Sequence, residues 1–303
     1  MLMFAIDRYL ELRRALGHGL VSTEPLLRSF ARYAELRGDD HILRDRARDW
    51  AAQASTPRQR AKRLGILLPL ARFLHAEDPR HELLPRPLVD LNPARPLPYL
   101  FSPTDLKRLV QAAGELPPRR SLRPHTFRTL FGLLGVTGLR ISEALSLRLA
   151  DISPDGLVIR DTKFHKHRLV PLHPTTAAAL AQYLERRQRL PTATDHLFVS
   201  LKRTSLCYST AYRTFRELCA RIGLPRSPEG RRPRQHDLRH SVAVRALEAC
   251  PLAREQVTSH VLALSTYLGH ASLRSTYWYL QSSPRLLRDI ASAGERWMRG
   301  GEP

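Results

Sequence analysis

A proline-rich segment divides this sequence into a shorter and a longer part. Five prolines fall between residues 85 and 98, and the stretch has no helical period. Proline fixes φ and lacks a backbone N–H, so such a segment is extended rather than helical. The chain of 303 residues also exceeds the usual length of one domain. The sequence therefore predicts domains over residues 1–84 and 101–303, joined by a linker over residues 85–100.

Apolar residues recur at helical spacing in the shorter part. Leu26, Phe30 and Tyr33 are three or four residues apart, which places them on one face of a helix. Thr56-Pro57 is typical of a helix start, because threonine caps the first turn and proline fits into it. The helix that follows carries a group of basic residues: Arg58, Arg60, Lys62 and Arg63. These patterns predict a small helical domain with a basic face.

The longer part combines helical periods with short β-like runs. Helical spacing recurs over residues 125–150, 174–190, 208–222, 236–249, 260–280 and 284–298. Residues 157–160 and 168–172 are short apolar runs on either side of a polar turn, and residues 196–199 are a candidate third strand. The sequence thus predicts a fold that is mainly α with a small β-sheet, in which an α+β domain follows the helical N-terminal domain.

The charge of the chain is strongly positive. It has 49 Lys and Arg against 28 Asp and Glu, a net charge of +21, and 44 of the basic residues are arginines. Arginine can bind phosphate oxygens through two parallel hydrogen bonds, although a GC-rich genome would also enrich arginine codons. Residues 1–95 carry a net +5 and residues 96–303 a net +16. The partner expected from this charge is a polyanion, nucleic acid first of all.

Several classes of protein find no support in the sequence. It has no G-x-x-x-x-G-K-[ST] loop, no G-x-G-x-x-G after a strand and no G-x-S-x-G elbow, so we expect neither a nucleotide cofactor nor a serine hydrolase. Cys207, Cys219 and Cys250 are too few and too widely spaced for a disulfide framework or a Cys-rich zinc site. No apolar run approaches the roughly 18 residues of a membrane span, and the first residues lack the pattern of a signal peptide. We therefore expect a cytoplasmic protein without cofactor, metal or membrane.

Two motifs place charged residues where they could act on a phosphate. In Thr137-Gly138-Leu139-Arg140-Ile141-Ser142-Glu143 a glycine turn ends at Arg140, and Glu143 shares its helical face. The carboxylate could orient the guanidinium; an ordinary surface ion pair is the alternative. The polar turn between the β-like runs holds Lys163 and Lys166, two of the five lysines in the chain. A hairpin tip there could bring a lysine into a groove, and a solvated turn is the alternative.

Two further motifs lie later in the chain. His236-Asp237-Leu238-Arg239-His240 puts His236 and Arg239 one helical turn apart, so both could hold one phosphate. The motif also imitates the H-E-x-x-H zinc site, but aspartate replaces glutamate, no third ligand is evident and Arg239 would repel a dication. Gly269-His270 ends a helical pattern. The aromatic residues 277–279 that follow cannot all face one core, because consecutive helical residues point about 100° apart; packing on a neighbouring helix would account for one or two of them.

Together, and in this order, these residues resemble the tyrosine recombinase (phage integrase) family. The residues that match its motifs are Arg140 in T-G-L-R-x-S-E, Lys163 in the hairpin, His236 and Arg239 in H-x-L-R-H, His270 in L-G-H, and Tyr279 nine residues later. The matches cover roughly residues 125–285, and the Tyr-Trp-Tyr-Leu ending is similar to that of a subgroup carried on mobile elements. The family's T-x-x-Y pattern, with Thr276 as its threonine, selects Tyr279 over Tyr277. The hairpin departs from the family, because Thr162 and Phe164 stand where it has glycines.

The resemblance implies a site-specific DNA recombinase or integrase. Tyr279 would attack a DNA phosphodiester, leaving a 3′-phosphotyrosine and a free 5′-hydroxyl, and a second 5′-hydroxyl would rejoin the backbone without ATP or a metal. Arg140 and Arg239 would clamp the phosphate, with Glu143 in a supporting role. His236 would accept the proton of the tyrosine, and His270 would donate a hydrogen bond. Lys163 would donate a proton to the leaving oxygen.

The resemblance also implies an assembly on DNA. Residues 1–84 would be a core-binding domain and residues 101–303 the catalytic domain, and four copies would hold two double-stranded recombination sites, at the bacterial nucleoid. The residues expected to contact DNA elsewhere are Arg58, Arg60, Lys62, Arg63, Lys166, Arg168, Arg231, Arg232 and Arg234. An apolar stripe in the tail would pack on a neighbouring protomer or on its own domain: Leu286, Leu287, Ile290 and Trp297. The alternatives are DNA relaxation of the type IB topoisomerase kind and a non-catalytic DNA-binding accessory protein.

Overall fold

Helices make up most of the computed structural model of this chain. It describes residues 2–85, 97–160, 167–192, 194–227, 230–250, 254–270 and 272–279, with a few single positions between 288 and 299. The chain divides into two compact units, Met1–Arg95 and Pro96–Pro303. Most of the predicted linker and the predicted tail helix over 284–298 lie outside the described residues.

The first unit consists of four helices in its described part: α1 (Leu2–Ala15), α2 (Glu24–Glu35), α3 (Arg44–Ala52) and α4 (Pro57–Glu77). Helix α4 begins where the sequence predicts it, because the side chain of Thr56 accepts a hydrogen bond from the backbone N–H of Gln59 at 3.2 Å. The apolar faces of the four helices meet in one core around the fully buried Phe30 and Trp50. This unit is helical as predicted.

The second unit contains eight helices among its described residues. They are α5 (Pro103–Gly114), α6 (Arg123–Thr137), α7 (Ile141–Ser146), α8 (Pro174–Gln188), α9 (Tyr208–Arg221), α10 (Gln235–Glu248), α11 (Arg254–Leu268) and α12 (Arg274–Tyr277). Helix α6 is central, because it packs against α5, α8 and α10. Its residues Leu130, Phe131 and Leu134 are fully buried. No helix in the described part of the chain is both long and apolar enough to cross a membrane.

The sheet is small and antiparallel. Its strands are β1 (Ile152–Ser153), β2 (Gly156–Ile159) and β3 (Arg168–Val170), in the order β1-β2-β3. Leu157 pairs with Val170 and Ile159 with Arg168, so β2 and β3 form the predicted hairpin. The fold class, mainly α with a small β-sheet, is confirmed.

The predicted third strand over residues 196–199 is wrong. Leu197 and Phe198 are fully buried, which explains the apolar run, but the segment makes only isolated bridges, from His196 to Arg148 and from Val199 to Ser205. Its backbone follows the loop after α7 instead, since the N–H of Leu197 donates to the carbonyl of Leu147 at 2.7 Å. A buried loop segment without a neighbouring strand has the same short apolar run as a buried strand.

A glycine turn before Arg140 divides the helical pattern over residues 125–150 into two helices, α6 and α7. Gly138 ends α6 with a φ of +64°, a conformation that favours glycine. A Cβ atom there would lie 3.1 Å from a side-chain carbon of Leu268 and 3.2 Å from one of Val242. The close approach of α10 and α11 therefore requires glycine at this turn, and the turn directs the chain into Arg140 at the start of α7.

Candidate active site

Arg239 connects helix α10 to two turns that are far apart in the sequence. Its Nη1 donates to the carbonyl of Gly138 at 2.8 Å and its Nη2 to the carbonyl of Leu268 at 2.6 Å. The residue is only 2% exposed. Burial, and then the positive charge of Arg140, lower the pKa of Arg239 to about 10. A charged guanidinium therefore lies where the end of α6, the middle of α10 and the end of α11 meet.

Arg140 lies at the same meeting point. Its Nη2 donates to the carbonyl of Gly269 at 3.0 Å, and its Nη1 donates to Oε1 of Glu143 at 2.7 Å. The backbone N–H of Arg140 donates to Oε2 of Glu143 at 2.9 Å, which caps α7. The Arg140 side chain remains one-third exposed. Local spacing thus produces the predicted pair of Arg140 and Glu143, and the fold brings it to the turn that carries His270.

Arg168 is the second partner of Glu143, which the sequence did not indicate. Its Nη1 donates to Oε1 at 3.1 Å and its Nη2 to Oε2 at 2.7 Å, while its Nε donates to the carbonyl of Tyr267. The Arg168 side chain is 10% exposed. The expectation that Arg168 holds the DNA duplex is therefore corrected: strand β3 turns its guanidinium inward, where a carboxylate neutralises it. Burial alone would raise the pKa of Glu143, but hydrogen bonds from Arg168 and Arg140 outweigh it and lower that pKa.

The turn before His270 needs a glycine because of Arg168. Gly269 has a φ of +66°, and a Cβ atom there would lie 2.6 Å from Nη1 of Arg168. The Leu-Gly-His motif thus combines a left-handed turn with the close approach of a guanidinium. The backbone N–H of His270 then returns to the carbonyl of Ser265 at 3.0 Å, which completes the end of α11.

His270 is held by the segment that carries the tyrosine. Its Nδ1 forms a hydrogen bond with Oγ1 of Thr276 at 2.8 Å, and Thr276 is completely buried. Burial, followed by the charges of Arg239 and Arg140, lowers the pKa of His270 to about 4. The ring is therefore neutral at pH 7, and its Nε2 is the nitrogen left to act on a ligand.

Tyr279 is buried against two histidines. It is 3% exposed, its ring stacks on His270 with 5.9 Å between centroids, and it lies 5.3 Å from the ring of His240. Its phenol is near enough to Arg239 for their charges to interact. Tyr277, by contrast, is 52% exposed. The two tyrosines that the sequence leaves as candidates thus occupy different environments, and only Tyr279 contacts the cluster.

His236 lies at the start of α10, at the edge of this cluster. Its ring is exposed to solvent and meets the ring of His240 edge-on at 4.5 Å. The surrounding protein still removes part of its hydration, and together with the charge of Arg239 this lowers the pKa of His236 to about 4. His236 is neutral at pH 7.

The two hairpin lysines, Lys163 and Lys166, lie outside the described residues. Among the other basic residues expected on DNA, five are exposed: Arg58, Arg60, Lys62, Arg231 and Arg232. Arg234 forms an ion pair instead: its Nη2 donates to Oδ1 of the buried Asp237 at 2.8 Å. Arg63 lies over the ring of Trp50 and donates to its carbonyl at 2.6 Å.

One group in the described residues brings together donor atoms that a metal could use. It consists of His41, Asp78 and His81 in the first unit, with these atoms within 4.8 Å of one another. Nδ1 of His81 already accepts the backbone N–H of Ile42 at 3.0 Å, and Arg80 binds both oxygens of Asp78. A cation there would compete with the guanidinium. His236 and His240 belong to no such group of three in the described part of the chain.

Comparison with known proteins places this geometry in a family. The model of the phage integrase family matches residues 100–285. The chain belongs to the phage integrase family. It is 41% identical over 302 residues to y4rB of Sinorhizobium fredii, a protein named as an integrase/recombinase, with 96% of each chain covered. Family membership accounts for the order of the motifs, and the cluster around Arg239 is the part of the fold where these motifs meet.

Solved structures share the fold at low sequence identity. The integrase of the transposon Tn1549, in complex with transposon right-end DNA, has a TM-score of 0.67 and 16% identity over 95% of this chain and 99% of that one. A lambda integrase tetramer bound to a Holliday junction has a TM-score of 0.62 and 19% identity, over 89% of this chain and 77% of that one. At such identities the likeness shows the fold alone.

Proposed function

We propose that this protein is a site-specific DNA recombinase that cleaves and rejoins duplex DNA through a 3′-phosphotyrosine at Tyr279. One observation carries the proposal: Arg140, Arg239 and His270 converge from three separate elements beside the ring of Tyr279. The names of its relatives support it, since they are integrases and recombinases. The basic charge supplies attraction for DNA.

The two arginines act on the phosphate. A guanidinium has five N–H donors, and Arg239 and Arg140 each use two of theirs on the protein contacts described above. The remaining donors stabilise the charge that builds on the nonbridging oxygens in the transition state. Two fixed cations in a poorly hydrated site do this without a metal, and loss of one such donor costs on the order of 10²–10³ in rate.

Neutral histidines suit the proton transfers. The phenol of Tyr279 has an ordinary pKa near 10, so it needs a proton acceptor when it attacks. His236 is neutral at pH 7 and can accept that proton, while His270 offers Nε2 to a phosphate oxygen because Thr276 holds Nδ1. Lys163 protonates the leaving 5′-oxygen, a step that an arginine cannot perform at neutral pH. The phosphotyrosine bond retains the energy of the phosphodiester, so rejoining needs no ATP.

The buried position of Tyr279 implies a resting state. At 3% exposure the phenol must move, or the residues above it must open, before it reaches a phosphodiester. Binding of a phosphate between Arg140 and Arg239 supplies free energy for that movement. Binding of the scissile phosphate is therefore coupled to the movement that brings Tyr279 to it.

The assembly we propose is a tetramer on two double-stranded sites, carried by a mobile element. The lambda integrase tetramer and the Tn1549 integrase share this fold. Residues 1–84 act as the core-binding domain through the exposed Arg58, Arg60 and Lys62, and Arg231 and Arg232 serve the catalytic domain. These residues neutralise phosphates without reading sequence.

A covalent trapping experiment tests the function. Nicked suicide duplexes are made from inverted repeats in the DNA that flanks the gene, and adducts are separated on a denaturing gel. Wild type is expected to give a protein–DNA adduct in excess EDTA, and Tyr279→Phe none. Tyr277→Phe is the matched control and should retain the adduct. An adduct with Tyr279→Phe, or loss of cleavage in EDTA, contradicts the mechanism.

The same substrates separate the alternatives. Relaxation of supercoiled plasmid without any recombinant product would indicate a topoisomerase. Specific binding to the repeats without an adduct would indicate an accessory protein. Recombinant product from a plasmid carrying two repeats is the result that supports the proposal.

A further inference from the structure

A cavity with several arginines lies away from the candidate active site. It has a volume of about 330 Å³ and lies between the start of α6, the end of α8 and the loop over residues 197–205. Arg120, Arg186, Arg189 and Arg203 line it together with His125. Helix α6 has 15 residues, about 22 Å at 1.5 Å per residue, and Arg140 follows its other end. The cavity and the candidate active site are thus separated by roughly the length of that helix.

Some arginines of this chain pair with carboxylates, whereas those of the cavity have no carboxylate partner among the described residues. Arg140, Arg148 and Arg221 each form an ion pair with a carboxylate. Within the described residues, none of the four cavity arginines forms one, and no described residue lining the cavity is acidic. All four are exposed, and their like charges around one concavity give it a positive potential that attracts an anion.

His125 lines the cavity close to this charge. Burial lowers the pKa of His125, and the charges of Arg186 and Arg128 lower it further. The ring is therefore neutral at pH 7 and can donate one hydrogen bond. Helix α6 adds the positive end of its dipole at the same place, because Leu122, its N-cap, also lines the cavity.

Arg203 is placed in the cavity by a strained turn. Its φ is +61°, in the left-handed region that non-glycine residues rarely adopt. The turn is closed by a hydrogen bond from the N–H of Ser200 to the carbonyl of Thr204 at 2.8 Å, and the Ser200 and Thr204 hydroxyls are 3.0 Å apart. A glycine or asparagine would relieve the strain but would remove the guanidinium. Such conformations cluster at functional sites, so the turn is consistent with a role for Arg203.

We propose that this cavity binds two or more neighbouring phosphate groups. Guanidinium groups from three directions can share adjacent phosphates through paired hydrogen bonds, and the apolar Leu122 and Val199 form part of the wall beneath them. The phosphates come from a free phosphorylated compound or from a DNA strand outside the cleaved bond. Because the cavity is separated from Arg140 by the length of α6, both positions can be occupied at once.

Calorimetric titration of the full-length protein with inorganic tripolyphosphate, at 150 mM salt, tests the proposal. The variant is Arg186→Gln/Arg203→Gln, and the matched control is Arg32→Gln/Arg72→Gln, which removes the same charge from exposed positions of the first unit. We expect at least tenfold weaker binding for the cavity variant and wild-type binding for the control. Circular dichroism checks that both variants are folded.

A second titration identifies the source of the phosphates. The same proteins bind a fluorescent 60-base-pair duplex at several salt concentrations. If the cavity holds DNA phosphates, the cavity variant reduces the slope of log K against log salt by about 1.8, since each phosphate contact contributes about 0.9, and the control does not. An effect on tripolyphosphate alone assigns the cavity to a free compound. Equal behaviour of variant and control in both titrations overturns the proposal, whether or not the protein recombines DNA.

Discussion

Glu143 and Arg168 form a two-point ion pair across the candidate active site. Nη1 of Arg168 donates to Oε1 of Glu143 at 3.1 Å and Nη2 donates to Oε2 at 2.7 Å, with both side chains at least nine-tenths buried. Glu143 also binds Arg140. One carboxylate thus orients two guanidinium groups, one from the start of α7 and one from strand β3. Glu143 therefore fixes the position of the Arg140 guanidinium.

Arg168→Met should therefore slow cleavage as well as destabilise the fold. It removes one partner of a buried carboxylate, a loss worth about 1–3 kcal/mol, and lets Glu143 pull Arg140 out of position. We expect single-turnover adduct formation to fall about tenfold or more. Arg168→Lys restores the charge but not the paired geometry and should recover only part of the rate.

The pH dependence separates this effect from a general loss of stability. The pKa of Glu143 is lowered in the folded protein, so its contribution to stability is present above its unfolded value of about 4.3 and is lost as pH falls through the folded value. Without Arg168 that pKa rises, because burial is then less opposed. Adduct formation by Arg168→Met should fail at a higher pH than in wild type. Parallel profiles for the two proteins would contradict the positioning role.

Gly269→Ala should destabilise the turn before His270 by more than its backbone strain alone. The left-handed conformation costs an alanine about 1–2 kcal/mol, and the new Cβ would also displace Arg168 from 2.6 Å. Gly223→Ala is the matched control, because Gly223 has a similar φ of +64° with nothing within 4 Å of the added atom. Chemical denaturation should give a larger loss for Gly269→Ala. Equal losses would mean that contact with Arg168 contributes nothing.

Thr276→Val should reduce adduct formation while leaving Tyr279 in the chain. The substitution preserves shape but removes the hydroxyl that holds Nδ1 of His270 at 2.8 Å, so the ring loses its orientation. We expect a rate loss on the order of tenfold, measured with the suicide duplex under single-turnover conditions. Thr276→Ser retains the hydroxyl and should stay close to wild type. A wild-type rate for Thr276→Val would show that His270 does not depend on this bond.

Acid should destabilise the protein in a window set by His270. Its folded pKa is lowered to about 4, whereas an unfolded histidine has a pKa near 6.5. Stability is therefore complete above pH 6.5 and falls as pH drops toward 4, because only the unfolded chain takes up the proton. Unfolding free energies from denaturant titrations at pH 7 and pH 5 should differ less for His270→Gln than for wild type. The same difference in both proteins would place the acid sensitivity elsewhere.

Local relations in the site were predictable from the sequence, and distant ones were not. Arg140 and Glu143 meet because three residues make almost one helical turn, and His270 and Tyr279 could be selected by motif. Arg168 could not be assigned, because 25 residues separate it from Glu143 and no periodicity relates strand β3 to helix α7. Because Arg168 follows other basic residues in the hairpin, the sequence suggested that it contacts DNA and not a buried carboxylate.

The sequence by itself determined the helical character of the chain and the hairpin strands, and it supplied the candidates for the reactive groups. These depend on apolar spacing, on turn residues and on side-chain chemistry, which are properties of short segments. Tertiary structure decided that Arg168 turns inward to Glu143 and that Tyr279 rests buried beside His270. Such choices depend on contacts of about 3 Å between residues up to 130 positions apart, as between Arg140 and Gly269. Only the packing of α6, α10 and α11 around their turns creates those contacts.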